Sequence, residues 1–392
     1  VVVVGAGPAG AAAATFLSRA GARVTLLERA RFPRDKVCGD GCSPRTMRVL
    51  EALGAERLPA MQAQPMRAFY ARSPGGWTLD AELPQELFGG RGCVVPRQVL
   101  DEHLVRIATA AGAELREGVH VESVEVASDG ARVRFRDGAT LDADVVLGCD
   151  GSPSVVRRSL GAPDFAPGRS AYAVRAYYEG ASLSRPEAFG LFWERELLPG
   201  YAWIFPLPDG RANVGVGMRA DLLPRLPFKL PELLERFCRS PFGRQELGSA
   251  RPLSKARGHH LPFGERVDNI VFDRALLLGD AAGFINPLTG EGIELAMESG
   301  QFAAEAVREA ADAGDFSARG LSGYLARCRA RFDVPFRLNG RLMSMFERPK
   351  LVDRIVRAAR RSRRVQVELA AVMLGVAQRI SPRLAVAAAL GL

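Results

Sequence analysis

Four valines open the chain, Gly5 follows, and an Ala-rich stretch runs on to Ala20. A short unbroken apolar run ending in glycine predicts a strand buried on both faces, a tight turn and a helix. Arg23–Glu28 (RVTLLE) predicts the next strand, so a βαβ unit begins at the first residue. Between Arg97 and Gly112 the apolar positions Leu100, Leu104, Ile107 and Ala111 recur at helical spacing. Val119–Asp150 alternates as a hairpin turning at Asp129-Gly130 and closes on a buried strand, DVVLGCDG; Ala275–Leu278 predicts another such strand leading into GDAAG. Phe69–Gly92 and Tyr172 to about Gly264 have another character, strand-like and rich in aromatics and proline. They predict a sheet inserted into the first fold. After Gly292 the pattern is helical, over Ile293–Ala313, Leu321–Phe346 and a basic tail.

Composition changes this picture mainly at the tail. The 392 residues are 47% apolar and 25% charged, which excludes disorder and fibre and suits about two folding units. Between Arg348 and Arg383 lie ten basic residues against two acidic ones, Asp353 and Glu368, so this segment carries +8 of the net +9. On a helical wheel Val352, Ile355, Val356 and Ala359 fall opposite Arg354, Arg357, Arg361 and Arg364. Three destinations stay open for that helix: an anionic membrane face, the body of the protein, or an acidic acyl carrier protein. Nucleic acid is excluded because stacking aromatics do not interleave with the charge, and with only four lysines the arginine bias reads as genome composition. Leu369–Ala377 and Leu384–Leu392 are apolar for nine residues each, where a membrane span needs about 20, so no transmembrane helix is expected.

Six irregularly spaced cysteines without a CxxC read as reduced thiols, and no metal site is expected. The His259-His260 pair reads as surface loop. The location expected is cytoplasmic, or peripheral at the inner face of the membrane. The chain opens inside an apolar run without a Met, so residues are expected ahead of Val1.

Gly5-Ala6-Gly7-Pro8-Ala9-Gly10 fits GxGxxG at a strand-to-helix junction, with Glu28 ending the second strand. The first glycine permits the turn, the second lets backbone approach a pyrophosphate, and the third packs helix on strand. Glu28 suits a ribose diol and repels a 2'-phosphate, which selects FAD or NAD over NADP. Gly279-Asp280, followed by Pro287, Gly290, Gly292 and Ile293, supplies a second acid and a second Gly-rich turn. One dinucleotide held at two places points to FAD. The expected fold class is therefore α/β: a Rossmann-like FAD-binding domain over 1–68, 93–165 and 265–312, an inserted antiparallel-sheet substrate domain over 69–92 and 166–264, and a helical C-terminal region over 313–392.

GAGPAG with Glu28, the Asp150-Gly151 pair in GCDGSPSVVR, and GDAAGFINPLTGEGI together resemble the three fingerprints of flavoprotein monooxygenases with the p-hydroxybenzoate hydroxylase fold. Within that superfamily, KVCGDGCSPR (Lys36–Arg45) and YAWIFP (Tyr201–Pro206) are similar to two motifs of the geranylgeranyl reductase family. The resemblance implies FAD contacts at Gly5, Gly7, Pro8, Ala9 and Gly10, with Glu28 and Arg29 at the adenosine end. It implies further contacts at Gly39, Gly41, Arg97, Asp280, Gly290, Gly292 and Ile293. It also puts Cys38 at the substrate end of the flavin, as donor of the proton that accompanies hydride transfer or as a small residue shaping the loop. Asp40 reads as a loop-closing acceptor and Cys42 as structural.

Tyr201, Trp203 and Phe205 alternate along one strand and so share a face, either a substrate wall or simply a core. The reaction implied is hydride transfer from FAD to a carbon-carbon double bond of a long isoprenoid, a prenyl lipid or prenylated quinone. NAD(P)H or a small redox protein would reduce the cofactor. A monooxygenase (hydroxylase or epoxidase) acting on a lipophilic or carrier-bound substrate is the alternative. A halogenase fits less well: YAWIFP departs from WxWxIP at Tyr201 and Phe205, and no lysine stands between Lys36 and Lys229. A flavin-binding or membrane-recruitment protein without catalysis is a third possibility, excluded by turnover of any prenyl substrate.

Overall fold

A computed structural model of the chain describes residues 1–55, 62–264, 267–377 and 379–382. Val2–Val4 is buried at the centre of a six-stranded sheet and pairs in parallel with Thr25–Glu28 and with Val146–Gly148. Glu114–Glu117 and Ala275–Leu277 extend the parallel array on either side, and Val271–Phe272 closes one edge antiparallel. Strands so covered have apolar side chains on both faces, which is why VVVV and ALLL read as continuous runs rather than alternations. The first helix, Pro8–Arg19, is buried along its alanines. Gly300 of the long helix Ile293–Ala313 lies against it so closely that an added Cβ would sit 2.6 Å from the Ala9 carbonyl oxygen. Small residues on both helices permit that approach. The hairpin Val121–Val126/Ala131–Phe135 turns at residues 127–130 and gains a third strand, Thr140–Ala143.

The inserted sheet has eight strands drawn from two excursions of the chain. Ser170–Glu179, Arg211–Arg219, Tyr201–Leu207 and Ala188–Phe192 pair antiparallel in that order. Ala68–Arg72 then joins Ala188–Phe192 in parallel, and Thr78–Glu82 forms the edge. This parallel pair departs from an all-antiparallel sheet because its strands come from separate excursions and no hairpin joins them. Arg257–Pro262 also pairs with Ser170–Glu179. His259 and His260 therefore lie in a strand. The surface-loop reading is corrected: RGHHLP has no period-2 alternation because the strand is only partly covered.

Of the three destinations open for the basic helix, Pro349–Arg361, the body of the protein takes its apolar face. Val352, Ile355, Val356 and Ala359 are buried in one cluster with Ala71, Leu79 and Ala81 of the inserted sheet. Arg354, Arg360 and Arg361 stay exposed on the outside. Leu369–Ala377 begins in the following helix, Arg363–Met373, whereas Leu384–Leu392 lies outside the described residues. No helix among the described residues is long and apolar enough to cross a membrane.

Candidate FAD and substrate site

Both Gly-rich turns open on one cavity of about 570 Å³. Every expected site residue lies on its wall except Gly10, which sits behind the turn. An added Cβ at Gly10 would stand 1.9 Å from the Gly5 carbonyl oxygen, so its role is close packing. Gly5 has φ +100°, and an added Cβ would stand 2.4 Å from the Cys149 carbonyl oxygen. Gly7 is different: φ is ordinary at −76°, and a Cβ there would meet nothing within 4 Å. Its open side faces the cavity.

The helices Pro8–Arg19 and Ile293–Ala313 start at Gly7 and Gly292, and neither has a capping side chain. Uncapped N–H groups and the positive ends of two helices thus border the same space, an arrangement that favours anionic or carbonyl oxygen. Glu28 is fixed by accepting from the Ala6 N–H (3.2 Å) and the Ala30 N–H (3.0 Å), and Arg34 donates to it at 3.2 Å. Arg34 also reaches Asp101 (2.7 Å), which takes a two-pronged contact from Arg97 (2.6 and 2.7 Å). Burial opposes ionisation of Asp101, but the two guanidinium groups outweigh it and hold its carboxyl below the usual range. Arg97 is therefore buried and anchored on the cavity wall.

Asp280 also lines the cavity, beside the second Gly-rich turn at Gly292. Lys36 Nζ lies 3.3 Å and His259 Nε2 3.9 Å from its carboxylate. Against the effect of burial, the Lys36 ammonium first and the nearby His259 ring second hold it well below the ordinary aspartate range. His259 Nε2 is buried without a hydrogen-bond partner among the described residues. A cradle open at Gly7, two uncapped helix starts, a carboxylate beside each Gly-rich turn and an orphaned buried nitrogen fit FAD. Local pattern carries no sign of Lys36 or His259: Lys36 reaches an aspartate 244 positions away.

The Cys38-Gly39-Asp40-Gly41 loop lies flat on the aromatic strand. A Cβ at Gly39 or Gly41 would come within 3.2 and 3.1 Å of the Phe205 ring. Asp40, at φ +64° and fully buried, accepts from the Arg97 N–H (3.3 Å), the Tyr177 hydroxyl (2.6 Å) and Asn213 Nδ2 (2.8 Å). Burial nonetheless raises its carboxyl to about 6. Asn213 also donates to the Cys38 carbonyl (2.7 Å) and accepts from the Trp203 indole (2.9 Å), so one amide ties loop to wall. A polar residue inside the apolar strand ANVGVGM was the signal for it. Cys42 is buried. The Cys38 Sγ accepts from the Asp40 N–H at 3.3 Å, and burial pushes its thiol upward, so it holds its proton.

Tyr201, Trp203 and Phe205 share the cavity face, and Tyr201 donates to the Thr289 carbonyl of the second Gly-rich turn. Trp203 is seated over Gly215, its cross-strand partner; a Cβ there would be 2.1 Å from the ring. Beyond the aromatics, the C-terminal helices roof the cavity with Val352, Ile355, Leu369 and Met373.

The FAD binding domain family matches residues 1–201. Menaquinone reductase of Mycolicibacterium smegmatis is 34% identical over 313 residues, covering 78% of this chain and 75% of that protein. Digeranylgeranylglycerophospholipid reductase 1 of Methanopyrus kandleri is 34% identical over 345 residues, covering 86% and 87%. A solved geranylgeranyl bacteriochlorophyll reductase-like protein from Thermoplasma acidophilum superposes with TM-score 0.85 at 23% identity over 100% of this chain and 98% of that one, a likeness of fold. Fold, site and family together define an FAD-dependent oxidoreductase. The chain belongs to the geranylgeranyl reductase family within that class.

Proposed function

We propose that the chain reduces a carbon-carbon double bond of a long-chain isoprenoid, a prenyl lipid or prenylated quinone. The observation that carries this reading is the apolar far end of the cavity, walled by Tyr201, Trp203 and Phe205 and roofed by the C-terminal helices. An isoprenoid gains about 0.8 kcal/mol per buried carbon from such a wall and needs no polar partner. The relatives' names, menaquinone reductase and digeranylgeranylglycerophospholipid reductase, support the same chemistry. When bound, reduced FAD supplies the hydride. The turns at Gly5–Ala9 and Gly290–Ile293 bind the cofactor, Glu28 and Asp280 orient it, and the aromatic wall excludes water. Cys38 keeps a proton at Sγ for the carbon that does not take the hydride.

NAD(P)H or a small redox protein is the proposed electron source; the sequence has no second GxGxxG to hold a nicotinamide permanently. Conversion of a long prenyl quinone or lipid to a product two mass units heavier tests the reading. A product sixteen units heavier would identify an oxygenase instead; halogenases share the fold, so fold alone does not decide. Cys38→Ala is expected to retain FAD and lose about a hundredfold in turnover. Unchanged turnover would reduce Cys38 to a loop residue. Gly215→Ala is expected to drive the Trp203 ring from its seat into the cavity, costing about 1–3 kcal/mol of stability. FAD content should persist while the KM for the prenyl substrate rises; an unchanged KM would remove Trp203 from the substrate wall.

A further inference from the structure

We propose that the outer face of the basic helix Pro349–Arg361, together with Trp77, is a docking surface for an anionic phospholipid bilayer. Trp77 sits at the tip of the edge hairpin and is 42% exposed, whereas Trp193 and Trp203 are buried. The guanidinium groups of Arg357 and Arg360 lie 5.5 and 5.8 Å from its ring centre. Asp353 fastens the hairpin to the helix by accepting from the Gly75 N–H and the Ser73 hydroxyl, both at 2.7 Å. The indole is thus held among cations on a rigid support. On this helix Lys350, Arg360 and Arg361 are exposed and have no carboxylate partner among the described residues.

An acidic protein partner would reward the charges alone. An exposed indole between guanidinium groups suits the headgroup layer of a bilayer, where the ring enters the apolar boundary and the cations meet lipid phosphate. The inner face of the same helix contributes Val352, Ile355 and Val356 to the cavity. A docked surface would therefore lie one helix diameter, about 10 Å, from the apolar end of the site. The proposal stands on charge and exposure, and vesicle binding tests it independently of turnover.

The test is flotation of the FAD-loaded full chain with phosphatidylcholine vesicles, with and without about 30 mol % phosphatidylglycerol. Binding is expected only to the anionic vesicles, with release at about 0.5 M salt. Each arginine near the surface is worth about fivefold, so Arg360→Gln/Arg361→Gln should lower partitioning about twenty-five-fold. Trp77→Ser should lower it several-fold and abolish any blue shift of tryptophan emission. Arg132→Gln, on a distant hairpin, should change nothing. Unaltered FAD absorbance and melting show that the variants are folded. Failure to float with anionic vesicles, equal flotation of the double variant, or capture by an acidic acyl carrier protein in place of vesicles would overturn the proposal. If flotation fails while detergent-dispersed prenyl substrate is still reduced, the functional reading stands and only the docking surface falls.

Discussion

Gly7→Ala is expected to yield a folded protein that no longer holds FAD. At this position the backbone is one that alanine adopts freely, and the added methyl touches no protein atom within 4 Å. What it would touch is the space kept open before the first helix, where a pyrophosphate approaches the N–H groups. The FAD-free variant should melt as the FAD-free parent does, while FAD affinity falls by more than about a hundredfold, since one bonded phosphate contact already involves several kcal/mol. Gly5→Ala behaves differently. Its φ of +100° disfavours any side chain by about 1–2 kcal/mol, and the methyl strikes the Cys149 backbone at 2.4 Å. That variant is expected to be destabilised with or without cofactor. Absorbance at flavin wavelengths per mole of protein, with calorimetric melting of the FAD-free forms, separates the two cases. A Gly7→Ala protein with parental FAD content would place the pyrophosphate elsewhere.

Arg331→Leu is expected to cost about 3–5 kcal/mol of unfolding free energy, because it strips a buried carboxylate of a partner. Arg331 donates to Glu294 (2.7 Å), to Glu298 (2.9 Å) and to the Gly375 carbonyl (3.1 Å), and Arg45 completes the cluster from the other side. Glu294 is 2% exposed, and burial, reinforced by Glu291 and Glu298, already pushes its carboxyl well above the usual range. Loss of one guanidinium leaves that carboxylate to take up a proton or draw in water. Glu291, bonded to Thr46 at 2.9 Å, belongs to the second Gly-rich turn, so FAD affinity should weaken with stability. Combining Arg331→Leu with Glu294→Leu should restore part of the loss, since an apolar pair leaves one fewer buried charge unmatched. Urea unfolding of the single and double variants checks this. A single variant within about 0.5 kcal/mol of the parent would mean that the cluster is solvated.

What was legible in the sequence was what is decided locally. The helix Ile293–Ala313 was read to the residue because glycines bracket it, Gly314 taking φ +65°. The GxGxxG turn was legible for the same reason, Gly5 and Gly10 answering to nearby backbone and Gly7 to the open space before the helix. Alternation put Tyr201, Trp203 and Phe205 on one face, but Gly215 as the seat of Trp203 depends on strand register, which the pattern leaves free. The helical wheel of 352–364 separated apolar from basic faces. It carried no information on whether the apolar face meets lipid or protein, and the answer is the inserted sheet and the roof of the cavity. Lys36 with Asp280, and Arg331 with Glu294 and Glu298, are pairings set by tertiary contact between elements far apart in the chain. His259 was misplaced because a partly covered strand has no clear period.

The central claim is that electrons leave the cofactor of this oxidoreductase for an olefin inside the apolar end of the cavity. Its most direct test is a single turnover without air: the FAD-loaded protein is reduced chemically, a long prenyl quinone or prenyl lipid is added, and the flavin spectrum is followed. The account predicts return of the oxidised spectrum in step with one equivalent of product carrying two additional hydrogens. A spectrum that stays bleached with every prenyl substrate and recovers only when oxygen is admitted would contradict it.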